Sequence, residues 1–562
     1  MLLVYGPRST TYDFGPAHPL TPRRFGPGMD LLRTVGAEPG LAPEPAPDEE
    51  LLWCHEPRYL ETVKRLSADP FGAAAAGIGR GGDDPAFPGM HDAAAAVAGG
   101  SLRALEAILR GNVEHAFHPG GGLHHAMPDH ASGFCIYDDP AIAIARARRD
   151  ELRVLYLDFD VHHGDGVQAI HYDDPGVLTL SFHESGHYLF PGSGFLDELG
   201  EGAAAGTSVN VPMEPETGEG AWLDSVALLV PEVAAAFSPD LIVSQHGADS
   251  HAWDPLAHLR MTTTAMGAAA RLVDAVAHRY SGGRWLATGG GGYDAYRVVP
   301  RMWSLVWLAG AHREVPTTID AAWRDRWAAE SAEHGQTPPP TTFHDDPNAG
   351  LPLDWSQETA EDRTRAVALV ARQLVVPRLL REARDQGWWS GDAAGSGAPA
   401  GARGLSGADG RPTTPDGSPT ILESVEASRW EAFNLAPRVV APADPLEGHA
   451  LIAAALGDGA HVAAAVTGSV VVGLAVTDAA GDLLALGIAP MHRRGGLAGR
   501  LLAASPARRA GVTLAERDPF EPLDRGLRAT IARRLLERAG FRVTRAPDPI
   551  GSADPYAIQG ER

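Results

Sequence analysis

The segment that most constrains this chain is Leu155-Tyr-Leu-Asp158-Phe-Asp160-Val-His162-His163-Gly-Asp165-Gly. Its first half is apolar enough for a buried strand. Its second half packs three carboxylates and two histidines into a few residues. On a strand, residues i and i+2 share a side, so Asp158, Asp160 and His162 align where the strand runs out. Open α/β sheets bind ligands beyond the carboxyl ends of their strands. An oxygen from Asp160 and a nitrogen from His162 suit zinc. A lone Asp-x-His more simply caps a strand or helix, and it is the density of groups that argues for a metal. A third ligand must come from elsewhere. The best candidate stretch is Gln245-His-Gly-Ala-Asp249, after an expected strand at Leu241–Ser244. Three protein ligands leave coordination open for water and a substrate carbonyl.

Hydrolysis also needs groups that take a proton from water and protonate a leaving amine. Pro119-Gly-Gly-Gly-Leu-His124-His125 offers paired histidines on a Gly-rich loop, with Asp158 and Asp165 at hand to orient their rings. Thr288-Gly-Gly-Gly-Gly-Tyr293 allows close backbone approach after a strand. A Tyr there can donate to an oxyanion, although a plain turn with a packed Tyr also explains this motif by itself. The Lys and Ser/Thr of a phosphate-binding P-loop are absent.

At 562 residues the chain is too long for one ordinary domain. Strands are expected at Val154–Phe159, Val177–Phe182, Leu241–Ser244 and Trp285–Thr288, with helices at Asp92–Arg110, Gly220–Phe237 and Thr262–Arg279. That alternation predicts a parallel α/β sheet flanked by helices. Residues 389–419 are Gly, Ala, Ser and Pro with few large apolar groups, a composition that predicts a flexible linker between domains 1–388 and 420–562. The last domain has expected strands at Val470–Val476 and Leu483–Ile488 and a helix at Ala529–Ala539.

Two cysteines, Cys54 and Cys135, do not make a disulfide scaffold and fit a reducing cytoplasm. No uninterrupted apolar run reaches membrane-spanning length, and MLLVYGPRST does not read as a signal peptide. The net charge is −24, and residues from Thr420 onward balance at 16 basic against 16 acidic, so the whole excess lies before them. Such a charge disfavours nucleic acid.

Several stretches together resemble the histone-deacetylase superfamily, in particular its bacterial acetoin-utilisation (AcuC-type) deacetylases. They are HPLTPRR (18–24), GGLHHAMPDHASGFCIYDD (121–139), VLYLDFDVHHGDGVQ (154–168), TLSFHESGHYLFPGSG (179–194), QHGADSHAWDPLAHL (245–259) and GGGGYDAYRVVPRMW (289–303). The resemblance implies the arginase/deacetylase-type fold. It assigns zinc, or iron on the same ligands, to Asp160, His162 and Asp249. It makes His124 and His125 the acid/base pair, backed by Asp158 and Asp165, with His125 carrying the main role. Tyr293 would polarise the acetyl carbonyl. Gly133, Phe134 and Phe190 would line an acyl-lysine tunnel, Asp83 would hold substrate at its rim, and Arg24 would sit near an acetate exit. A structural potassium is implied at the backbone oxygens of Asp158, Asp160, His162 and Phe182 with Ser181 Oγ.

In the last domain, Arg493, Gly496 and Ala498 follow an expected strand and resemble the coenzyme-A loop of GNAT acetyltransferases, an α+β fold. Acetyl-CoA binding is implied there. The Tyr that this family often uses as general acid is Leu536 here. The combined expectation is a deacetylase acting on acetylated protein lysines, an acyl-CoA synthetase being the substrate the resemblance implies, fused to a GNAT-like domain. An acetylpolyamine or other small-amine hydrolase and a non-catalytic acyl sensor are the alternatives.

Overall fold

A computed structural model describes residues 1–345, 355–385, 420–430, 434–435, 452–467, 470–488, 497–512, 536–537, 540–545 and 558–561. The chain divides into two compact units, Met1–Val226 with Ala236–Trp388, and Trp389–Arg562 with Ala227–Ala235.

The first unit is built on an eight-stranded sheet. In chain order its strands are β1 (Leu2–Val4), β2 (Pro39–Leu41), β5 (His115–His118), β6 (Val154–Asp158), β7 (Val177–Glu184), β8 (Ser208–Met213), β9 (Leu241–Gln245) and β10 (Trp285–Thr288), while β3 (Ile78–Gly79) and β4 (Asp84–Pro85) form a separate short pair. The sheet order is β2-β1-β5-β10-β9-β6-β7-β8, and every neighbouring pair is parallel. A parallel sheet is covered on both faces. The strands β6, β9 and β10 are accordingly mostly apolar, and β5, β6, β7, β9 and β10 are buried at every position.

Small residues bring the covering helices close. Along the helix Met90–Leu109, Ala93–Ala96 and Ala98 are buried. A Cβ on Gly99 of that helix would lie only 1.8 Å from Glu44 O, so the loop crossing it needs glycine there. The four strands anticipated from sequence all form, at the expected places to within two residues, as do the three helices, now Met90–Leu109, Glu219–Phe237 and Thr263–Tyr280. Met90 follows Gly89 at φ 77°, which lets the chain turn into the helix two residues earlier than expected. Among the described residues, Glu219–Phe237 alone is long and apolar enough to cross a membrane, and 89% of that window is buried inside the fold, as in a core helix.

β5, β10, β9 and β6 are consecutive in the middle of the sheet. Because all run the same way, their carboxyl ends deliver four loops to one place: 119–125, 289–293, 246–249 and 159–165. These are the four stretches singled out from the sequence.

The second unit carries another sheet, ordered β11 (Thr420–Leu422), β13 (His461–Thr467), β14 (Val470–Thr477), β15 (Asp482–Ile488), β16 (Arg509–Val512), β18 (Ile558–Glu561) and β17 (Arg542–Arg545), with β12 (Asn434–Leu435) on β14. It is antiparallel except at β15–β16 and β12–β14. Trp430, Val462, Leu474 and Leu501 are among its core residues. The expected linker 389–419, Arg493 and Gly496 lie outside the described residues, as does most of the helix expected at Ala529–Ala539. Ala498 lies in the helix Leu497–Ala504.

Candidate active site

Asp160, His162 and Asp249 come together as anticipated. His162 Nδ1 lies 3.1 Å from Asp160 Oδ1 and 3.1 Å from Asp249 Oδ2. All three side chains are buried or nearly so. Each carboxylate is also fixed from behind. Asp160 Oδ2 accepts from Gln245 Nε2 at 2.7 Å and from the Gly291 N–H at 2.8 Å. Asp249 Oδ1 accepts from the Val161 N–H at 3.1 Å. The remaining oxygens and the imidazole nitrogen thus face one point.

Two buried carboxylates against one imidazole leave excess negative charge in a place where charge is expensive. Burial works against a charged His162, yet its hydrogen bonds to Asp160 and Asp249 raise it to about 10. A proton is drawn to the point that a cation would occupy. Burial and the Asp160 charge push Asp249 up to about 6. Gly291 keeps the space open, since a Cβ there would stand 1.9 Å from Asp249 Oδ2 and 3.0 Å from Asp160 Oδ2. Ligand type, charge and cradle all fit a divalent metal.

The paired histidines border the same point. His124 Nδ1 donates to Asp158 Oδ2 at 2.8 Å, and His125 Nδ1 to Asp165 Oδ1 at 2.6 Å. Asp158 is itself held by the Tyr156 hydroxyl at 2.8 Å and the Asp160 N–H at 3.1 Å. Each of these two carboxylates therefore holds one imidazole ring. Tyr293 shares a cleft with these groups, lined also by Leu20, Gly133, Phe134 and Cys135. Burial, then the charges of Asp249, Asp160 and Asp254, hold the Tyr293 phenol well above its ordinary range, so it keeps its proton.

Gly133 adopts φ 55°. A Cβ there would meet His125 Cδ2 at 2.5 Å and Phe190 Cε1 at 2.8 Å, so only glycine fits between the two rings. Phe190 is 41% exposed and packs edge-on against His125, with ring centres 5.1 Å apart. Phe134 meets Tyr293 edge-on at 6.0 Å and His18 at 4.5 Å. Asp83 is exposed outside this cleft, and its carbonyl accepts from His18 Nε2 at 3.0 Å. Its neighbour Asp84 is buried, which raises its carboxyl to about 8. Arg24 is buried and donates to Gly290 O at 2.7 Å. Asp158 and Ser181 are register partners on β6 and β7, Phe182 follows, and Ser181 Oγ is 2.8 Å from His183 Nδ1.

Sequence reasoning missed three supporting residues. Gln245 fixes Asp160, Tyr156 backs Asp158, and Asp254 Oδ2 accepts from the Tyr293 N–H at 2.8 Å. Gln245 had a signal: it is a polar residue at the end of an apolar strand, in register with Asp158.

Four loops at the carboxyl end of a parallel sheet, presenting a three-ligand group beside a carboxylate-backed histidine pair, are the arrangement of a metal-dependent hydrolase. Residues 18–309 match the family model described as Histone deacetylase domain, and the chain belongs to the histone deacetylase family. Its similar relatives include Acetoin utilization protein AcuC of Bacillus subtilis (strain 168), 40% identical over 373 residues, spanning 65% of this chain and 95% of the relative. AcuC of Staphylococcus xylosus is 35% identical over 364 residues, spanning 64% and 94%. A solved structure of an HDAC homolog complexed with SAHA superposes with a TM-score of 0.56 at 28% identity, covering 65% of this chain and 99% of that one. The HDAC homolog from Aquifex aeolicus gives 0.55 at 28% identity, with the same coverage.

Proposed function

We propose that this chain hydrolyses the acetyl amide of acetyl-lysine on proteins, releasing lysine and acetate, with zinc held by Asp160, His162 and Asp249. The observation that carries this reading is the convergence of that three-ligand group, two carboxylate-backed histidines and a protonated tyrosine on one narrow cleft. The metal, when bound, supplies Lewis-acid polarisation and acidifies water.

The remaining steps belong to the chain's own groups. Asp165 holds the Nδ1–H of His125, which leaves Nε2 free to accept a proton from water. Burial and the neighbouring His124 lower the basicity of His125, so it enters the reaction neutral. Burial opposes a charge on His124, but Asp158 and Asp160 overcome it and raise His124 to about 9, making it a cation beside the reacting carbon. Tyr293 donates to the oxygen that gains charge. Gly133, Phe134 and Phe190 contact the apolar stem of the acylated side chain.

The test is acetate release from an acetyl-lysine peptide by the full chain, beside metal-stripped protein and Tyr293→Phe. Metal-dependent release that falls in the variant supports the reading, and an acetylated acyl-CoA synthetase is then the first protein substrate to assay. Turnover of acetylpolyamine alone would move the substrate to small amines. No release with the metal site filled would overturn deacetylation.

For the second unit we infer acyl-CoA binding. β15 and β16 pair in parallel only at Asp482–Arg509 and Leu483–Ala510, and the helix Leu497–Ala504 begins between them in sequence. Leu536 is buried among Leu502, Ala507, Ala510 and Phe541 and offers no acid, which favours binding over transfer. Calorimetric titration with acetyl-CoA tests this, and no heat of binding would overturn it.

A further inference from the structure

At the end of β5 away from the catalytic loop, three imidazoles and a carboxylate converge. His115 opens β5 and is buried. Asp274 and His278 stand one turn apart on the helix Thr263–Tyr280, which puts them on one face. His312 follows the helix Val299–Gly310. It adopts φ 53°, a left-handed conformation uncommon outside glycine, and in that conformation its ring reaches the other three groups.

The geometry involves one atom from each residue. Asp274 Oδ1 is 3.0 Å from His312 Nε2, 3.3 Å from His115 Nε2 and 3.5 Å from His278 Nε2. His278 Nε2 is 3.1 Å from His115 Nε2 and 3.1 Å from His312 Nε2. All four atoms lie within 4.8 Å of one another. Zinc bonds of ~2.0–2.1 Å in a tetrahedron imply ligand-to-ligand edges of about 3.3–3.4 Å. The separations above bracket that edge. The Trp285 ring packs edge-on against His115, with ring centres 5.6 Å apart.

We propose that His115, Asp274, His278 and His312 form a second, structural zinc site. Four protein ligands close the coordination sphere, which suits a structural rather than a catalytic ion. The ion would tie the start of a central strand to the end of one covering helix and to the turn after another. Binding only the folded chain, it would stabilise the first unit by mass action. The site stands apart from Asp160, His162 and Asp249, because His115 begins β5 whereas His124 and His125 follow its far end. Nothing in it rests on the deacetylase reading.

The test counts metal. Untagged full-length protein is loaded with zinc, dialysed against metal-free buffer, and measured by plasma mass spectrometry, beside His278→Ala/His312→Ala and Asp249→Ala. The side chains of His278 and His312 are 39% and 51% exposed, so their removal leaves the core intact. The expected result is one zinc fewer per chain in His278→Ala/His312→Ala than in the wild type, with unchanged basal activity. On the Asp249→Ala background, cobalt should still give tetrahedral absorption bands, and these should vanish when the two histidines are also replaced. Equal zinc content in wild type and His278→Ala/His312→Ala would overturn the site, as would cobalt bands on the Asp249→Ala background that survive loss of both histidines.

Discussion

His124 and His125 are adjacent in the chain and hold their rings 4.0 Å apart, yet each donates Nδ1–H to a different carboxylate, Asp158 and Asp165. Their environments drive them in opposite directions. His124, facing Asp158 and Asp160, is raised to about 9 despite burial, whereas burial and the His124 charge lower His125. Two like groups pushed apart in this way are what the proposed acid/base pair would need within one site.

The pair gives a first prediction. Asp165→Asn keeps the shape but removes the charge that orients His125. Steady-state kinetics on an acetyl-lysine peptide should show kcat lower by ~10²–10⁴-fold, the contribution of a positioned general base, with KM and zinc content nearly unchanged.

Tyr293 acts differently, because its phenol is a donor that burial keeps protonated. Tyr293→Phe should lower kcat by ~10²–10³-fold, as for loss of one oxyanion donor. Zinc content, measured on the same preparation, should match the wild type.

Gly291 is the steric guard of the metal group. In Gly291→Ala the new Cβ would collide with Asp249 Oδ2 and crowd Asp160, and the carboxylates must move. Zinc affinity should fall by at least ~10–100-fold, read by chelator competition, while circular dichroism stays that of the folded chain.

His55 sets a pH dependence remote from the metal. It is buried, its Nδ1–H donates to Met127 O at 3.0 Å, and its Nε2 accepts from the Asp138 N–H at 3.0 Å. Burial lowers it to about 4. As pH falls below ~6.5 the unfolded chain takes up this proton first, so stability is lost from there down to about 4. Each such proton contributes a slope of about 1.4 kcal/mol per pH unit. His55→Gln can keep both hydrogen bonds without titrating. Urea unfolding near neutrality and near pH ~5 should show a smaller acid loss in the variant than in the wild type.

Much of this was written in short stretches of the chain. Val154–Asp158 is a strand because five consecutive residues suit a layer covered on both faces, and the acids and histidines follow because the strand ends there. Asp160 and His162, the histidine pair, and Tyr293 on its glycine turn are all local patterns that a sequence displays directly. So is the turn of helix that puts Asp274 and His278 on one face.

What the tertiary structure decided is which of these patterns meet. The order β5-β10-β9-β6 places four distant loops side by side, and parallel order depends on how the crossovers pack rather than on any one segment. Gln245 became the clamp on Asp160 only through that adjacency. The cluster of His115, Asp274, His278 and His312 was invisible beforehand because its members are scattered along the chain and carry no shared motif. Local chemistry fixes what each segment can offer, while long-range packing alone brings four such groups within 4.8 Å of one another.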